Sequence, residues 1–141
     1  MPPVPGERQI RFALGLVGVY GIVSGALALI APGTFFDEIG RYGVENEHYV
    51  GDNGAFTLAY GVLAFVAIAR PAWRVPILWV GAAWFGLHAL NHVFDIGQAR
   101  SDLRGVVDTV LLALTAVLIG GLAAQITRGE RASPTPPPES R

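Results

Sequence analysis

Residues 75–96, VPILWVGAAWFGLHALNHVFDI, decide the fold of this 141-residue chain. The run is apolar over a length that crosses a bilayer, and its second half carries His88, Asn91, His92 and Asp95. At about 3.6 residues per turn, these four polar side chains fall on one face of a helix. Polar and ionisable groups are costly inside a membrane span, so this face is the first candidate for a functional site.

The composition is typical of a polytopic membrane protein. Hydrophobic residues make up 52% of the chain and charged residues 15%, with a formal net charge of -1. Much of the charge lies between the apolar runs or in the tails, which a soluble core with a charged surface would not show. The chain has no cysteine, and this excludes disulfides, thiolate metal sites and cysteine nucleophiles.

Four apolar runs predict four transmembrane helices, so we expect a single-domain, all-α bundle of four helices in the membrane. The predicted spans are residues 12–31, 53–69, 75–96 and 105–126. The transmembrane domain, residues 12–127, follows a cytoplasmic leader at 1–11 and precedes a Pro-rich tail at 128–141 that we expect to be disordered. A secretory signal peptide is the alternative for the first run, but that run exceeds the ~7–15 residues of a signal core.

The longest connection, residues 32–52, joins the first two spans. Thr34, with Asp37 three residues later, resembles the capped start of a short helix that lies in the interface. The apolar face of that helix would carry Phe35, Phe36, Ile39 and Tyr42. In the first span, small residues at positions 18, 21, 25 and 28 form a stripe that favours close helix packing inside the bundle.

The arginines predict the orientation in the membrane. All ten basic residues are arginines, a usage associated with GC-rich bacterial genomes. With a cytoplasmic N-terminus, seven arginines lie inside and three outside, as the positive-inside rule requires. We therefore expect a multi-pass protein of the bacterial cytoplasmic membrane with both termini in the cytoplasm. The lipid bilayer is its environment, and a second copy or another membrane protein is a candidate partner. No basic patch indicates nucleic acid.

Alternation of the spans brings polar residues of three helices to the outer leaflet. The second span enters there, the third leaves there and the fourth enters there. His88 lies eight residues before Ile96, or roughly 12 Å further into the membrane. The polar residues that share this leaflet are Asp52, Asn53, His88, Asn91, His92, Asp95 and Asp108.

The two histidines of the third span predict a metal site. His88 and His92 are four residues apart, a spacing at which two imidazoles on one helix face bind the same ion. Nearby carboxylates would complete the coordination of a divalent transition metal such as zinc, iron or manganese. The predicted metal ligands are His88, His92, Asp95, Asp52 and Asp108. No glutamate follows His88, so the zinc-protease motif HExxH is absent.

The same cluster has other interpretations. His88, with Trp84 and Phe85 around it, can ligate a haem or hydrogen-bond a quinone. A chain of imidazoles and carboxylates can relay protons between the exterior and the middle of the membrane. A purely structural network would join helices and pair interfacial carboxylates with Arg100 or Arg104. The sequence has no nucleophile elbow, phosphate loop or nucleotide fingerprint. Because metal- and cofactor-dependent chemistry needs none of these motifs, the sequence leaves open whether the protein is an enzyme.

Residues 11–126 resemble the small bacterial four-helix membrane proteins of the DoxX-like type. The similar features are the motif RFALG at residues 11–15, the long first exterior connection, the Gly- and Ala-rich second span and a short arginine-containing turn. The stretch FGLHALNHVFD is also similar to the third helix of uncharacterised actinobacterial membrane proteins. The resemblance implies a bundle that acts beside redox or quinone-linked enzymes. We expect an accessory or binding protein; the alternative is a membrane redox enzyme that holds a metal or cofactor on His88 and His92.

Overall fold

The computed structural model describes residues 5–132 and consists of helices joined by short connections. The helices are α1 Glu7–Ile30, α2 Pro32–Glu38, α3 Glu47–Ala69, α4 Arg74–Asp95 and α5 Asp102–Ala132. Two single 3-10 turns, Pro71–Trp73 and Ile96–Gln98, lie directly before and after α4. Helices α1, α3, α4 and α5 are long and apolar enough to cross a membrane. This confirms the predicted all-α, four-helix class and makes the chain a multi-pass membrane protein.

The long helices pack as two pairs. α1 packs along α3, α4 packs along α5, and the pairs meet where α3 contacts α4. We call the end of the bundle that carries α2 and the turn before α5 the α2 end, and the opposite end, where α1 begins and α5 finishes, the terminal end. A core of apolar side chains, including Leu14, Leu78 and Phe85, lies between the pairs. Many large apolar side chains face outward instead, as a lipid environment requires.

The small-residue stripe of α1 packs against α3, as the sequence predicts. A Cβ atom on Gly21 would lie 2.6 Å from the Cα atom of Gly61, and one on Gly54 would lie 2.8 Å from the Cβ atom of Ala28. The two backbones therefore touch, and no side chain fits between them. This contact takes the place of apolar burial, which drives no association between helices in lipid.

The helix boundaries differ from the predicted segments in several places, and α1 already begins at Glu7, within the predicted leader. α2 begins at Pro32, which has the first helical position and needs no N–H partner there, and not at a Thr34 cap. α3 begins at Glu47, because the Asn46 side chain accepts a hydrogen bond from the Tyr49 N–H and thereby caps the helix. Residues 47–52, which belong to the predicted connection, are therefore helical. α5 continues through residues 128–132, which we predicted as disordered tail; residues 133–141 lie outside the described part of the chain.

A buried arginine closes the terminal end, and sequence analysis did not identify it as such. Arg74 donates two hydrogen bonds to the Glu7 carboxylate, at 2.6 and 2.7 Å, and a third to the carbonyl oxygen of Ala67 at 3.3 Å. The Arg74 side chain is 8% exposed. The guanidinium thus ties the start of α1 to the end of α3 and the start of α4, which suits the forked geometry of arginine.

Candidate functional site

A loop at the α2 end places Tyr42 over the ends of α4 and α5. Tyr42 forms an isolated antiparallel bridge with Ala99, and the Gly43 N–H donates to the Gln98 carbonyl oxygen at 3.1 Å. Gly43 has φ +61°, a left-handed conformation that favours glycine at this turn. The bridge fixes the loop to the turn between α4 and α5, so the Tyr42 side chain points back toward the bundle.

The side chain of Tyr42 links the histidines of α4 to the carboxylate of α5. Its hydroxyl lies 2.9 Å from His92 Nδ1 and donates to Asp108 Oδ2 at 3.3 Å. On the other side of the same imidazole, His92 Nε2 lies 3.1 Å from His88 Nε2. These contacts make one continuous row of polar side chains, His88, His92, Tyr42 and Asp108, which we call the polar chain. It runs from inside the α4 span to the α2 end.

The carboxylate end sets the direction of every hydrogen bond in the polar chain. An ionised Asp108 only accepts, so the Tyr42 hydroxyl donates to it and accepts from His92 Nδ1–H. His92 Nε2 is then unprotonated and accepts from His88 Nε2–H. His88 Nδ1 is left as a lone-pair acceptor. That atom is buried and has no hydrogen-bond partner within residues 5–132.

Arg104 forms an ion pair with the carboxylate at the end of the polar chain. Its Nε lies 3.0 Å from both carboxylate oxygens of Asp108, one turn further along α5. This confirms the predicted pairing of an interfacial carboxylate with Arg104. The pKa of Tyr42 rises to about 12, first because of burial and then because of the negative charge and hydrogen bond of Asp108. The phenol is therefore a hydrogen-bond donor at neutral pH.

A small cavity connects this end of the polar chain with the surface. Its volume is about 20 Å³, enough for about one water molecule, and its lining includes Tyr42, Arg104 and Asp108. Carbonyl oxygens at the end of α2 also lie here, since Arg104 reaches that of Ile39 at 3.5 Å and Arg100 reaches that of Asp37 at 3.4 Å. The charged end of the polar chain is accordingly open to water, whereas the Nδ1 atom of His88 at the other end is buried.

An aromatic cluster lies beside the His88 end of the polar chain. The Trp84 ring lies 5.9 Å from the His88 ring and 4.6 Å from the Phe85 ring, between centroids. Tyr60 of α3 lies 5.9 Å from Trp84, and its hydroxyl is also buried without a hydrogen-bond partner in the described chain. That hydroxyl occupies the space above Gly81 where a Cβ would be, so the glycine is needed for the ring to fit. The Trp84 ring therefore packs beside His88, and Phe85 of α4 and Tyr60 of α3 in turn pack against Trp84.

The other predicted ligands lie outside the polar chain. Asp95 accepts hydrogen bonds from Asn91 at 3.2 Å and from Gln98 at 2.7 Å, so the polar stripe of α4 divides into two separate pairs. Asp52 lies near the exposed His48, at 3.6 Å. Of the five predicted metal ligands, the structure brings together His88, His92 and, through Tyr42, Asp108.

The geometry of the histidine pair is compatible with a metal ion. Two nitrogens bound tetrahedrally to one ion at about 2.0–2.1 Å lie about 3.3 Å apart, close to the observed 3.1 Å between the two Nε2 atoms. Tyr42 and Asp108 would then be the outer partners that orient His92. Among residues 5–132, however, no three His, Asp or Glu side chains are grouped to hold an ion. The metal site therefore stays a prediction. Beyond His88 and His92, its remaining ligands would have to come from outside the grouped His, Asp and Glu side chains of residues 5–132.

Sequence reasoning missed the part of Tyr42 in this site. The sequence pattern predicts Tyr42 on the apolar face of an interfacial helix, but α2 ends at Glu38 and Tyr42 lies beyond it. Its partners are 50 and 66 residues away along the chain, so no local spacing indicates them. The available signal was that the connection carries tyrosines and lies on the same side of the membrane as the histidine-bearing end of the third span.

The chain matches no protein-family model, no curated protein and no solved structure.

Proposed function

We propose that this chain is an accessory or binding protein of a bacterial cytoplasmic membrane, with the polar chain as its binding element. The arginine distribution supports cytoplasmic termini and an exterior α2 end. The resemblance to DoxX-like proteins agrees with a role beside a larger membrane enzyme. The relationship to DoxX-like proteins and the orientation in the membrane are therefore proposed together with the function.

One observation carries the proposal: a buried imidazole nitrogen at the end of a polarised chain has no partner. An unsatisfied buried acceptor lowers the free energy of unfolding by about 1–3 kcal/mol. Because this atom does not stabilise the fold, we infer that it is retained to bind a ligand. The direction of the hydrogen bonds makes His88 Nδ1 an acceptor, and its natural ligand is a hydroxyl or N–H donor. Trp84 and Phe85 would contact the apolar part of such a ligand.

The test is small-molecule mass spectrometry of solvent extracts from protein purified in mild detergent. We compare the wild type with His88→Gln, whose NH₂ group can still donate to His92 but whose amide oxygen does not occupy the position of the Nδ1 acceptor. Asn91→Ala is the matched control, because Asn91 lies on the same helix and outside the polar chain. We expect a small molecule with a donor group in the wild type and in the control, and its loss from His88→Gln. Identical extracts from all three proteins would refute the proposal.

A second candidate function, a metal- or cofactor-dependent redox enzyme, is favoured by the spacing of the two Nε2 atoms. Elemental analysis and an absorption spectrum on the same preparations distinguish it. A stoichiometric metal or a haem band, lost in both His88→Ala and His92→Ala and kept in Asn91→Ala, would support the enzyme. Equal metal and cofactor content in all variants would exclude His88 and His92 as ligands.

A further inference from the structure

A groove lies between α1 and α5 at the terminal end, opposite the polar chain. Its volume is about 510 Å³, within the range of small-molecule sites. Ala13, Leu118 and Leu122 are among its apolar lining residues, and Gln9 and Gln125 are its two side-chain amides. From Gln125 to Leu118 the groove follows α5 over roughly 10 Å. It is apolar toward the middle of the membrane and polar toward the end.

The charge around this end is strongly positive. Among the described residues, the terminal end has six arginines, at positions 8, 11, 70, 74, 128 and 131, and two glutamates, at positions 7 and 130. Arg74 and Arg11 contact Glu7. Arg8 and Arg128 are exposed and form no ion pair within residues 5–132. Arg128 follows Gln125 by three residues, so it lies on the same side of α5 as the polar mouth of the groove.

We propose that this groove binds one anionic phospholipid. An acyl chain lies along Leu118 and Leu122, and the phosphate lies at the mouth, where the Gln125 amide and the Arg128 guanidinium donate to it. Gln9 adds a second amide: its oxygen accepts from the Gly6 N–H at 3.0 Å, which leaves its NH₂ group for the phosphate. Basic pockets between helices are known to hold anionic headgroups in this way. The site is independent of the function proposed for the polar chain.

Two variants separate the acyl and headgroup parts of the site. Nothing lies within 4 Å of a Cβ at Gly121, so Gly121→Leu introduces a large side chain into the groove with no clash at its Cβ. Gly15→Leu is the matched control, since a Cβ there is equally free and Gly15 is not in the groove. For the headgroup, Arg128→Gln is compared with Arg41→Gln, an exposed arginine at the α2 end.

The measurement is native mass spectrometry of the full-length protein in mild detergent, with added phosphatidylglycerol or phosphatidylcholine. We expect one phosphatidylglycerol per chain in the wild type and in both controls. Gly121→Leu should remove it, and Arg128→Gln should weaken it about fivefold, the contribution expected of one arginine at a membrane surface. Equal retention of the two lipids, or unchanged retention in Gly121→Leu, would overturn the proposal. A lipid-free dimer that Gly121→Leu dissociates would also overturn it, because a second copy would then occupy the groove.

Discussion

The hydroxyl of Tyr42 makes both hydrogen bonds that join α4 to α5 at the site, to His92 and to Asp108. Tyr42→Phe removes both bonds and leaves His92 Nδ1–H without its partner. Because the site is only partly buried, we expect the free energy of unfolding to fall by about 1 kcal/mol. Thermal unfolding in detergent checks this. Tyr49→Phe is the control, since that side chain is 72% exposed, and an equal change in both variants would contradict the argument.

The raised pKa of Tyr42 predicts how this contribution depends on pH. In the folded protein the pKa is about 12, above the value of about 10 for an unfolded chain, so folding favours the neutral phenol. The stabilisation is therefore complete below pH ~10 and is lost as the pH rises toward 12. The difference in stability between the wild type and Tyr42→Phe should shrink over that range. A difference that stays constant from pH 8 to pH 11.5 would show that Tyr42 titrates normally.

At the scale of elements, the contact between α1 and α3 depends on glycine. A methyl group on Gly21 would lie 2.6 Å from the Cα atom of Gly61, so Gly21→Ala must push the helices apart. We expect a loss of about 1–3 kcal/mol, the usual cost of overpacking. Gly15→Ala makes the same change where nothing lies within 4 Å, and should instead stabilise α1 by about 0.5–1 kcal/mol. Unfolding temperatures of the two variants should therefore move in opposite directions.

The elements were predictable because they depend on local pattern, and the site was predictable only in part. Apolar length predicts a membrane helix, and glycine spacing predicts a close contact, without knowledge of the fold. The i and i+4 spacing predicted that His88 and His92 would meet, as they do. It also placed Asn91 and Asp95 beside them, but these two bond to each other, because a stripe of polar residues does not specify which side chains pair. The link to Asp108 depends on tertiary packing of a distant loop.

At the scale of the whole molecule, the two ends differ in charge. The α2 end has three arginines and eight acidic residues among residues 5–132, whereas the terminal end has six arginines and two glutamates. The ion pair between Glu7 and the buried Arg74 adds little to this difference, since its charges cancel. Positive charge is retained on the cytoplasmic side during membrane insertion, so the terminal end should face the cytoplasm.

Single cysteines test that orientation directly, because the chain contains none of its own. Val44 is 92% exposed in the loop at the α2 end, and Ala132 is exposed at the end of α5. In intact cells, a membrane-impermeant maleimide should label Val44→Cys and leave Ala132→Cys unlabelled, and both should react after the membrane is permeabilised. The reverse pattern would place the polar chain at the cytoplasmic surface. The cavity beside Asp108 would then be open to the cytoplasm, and any ligand of His88 would have to be sought among partners on that side.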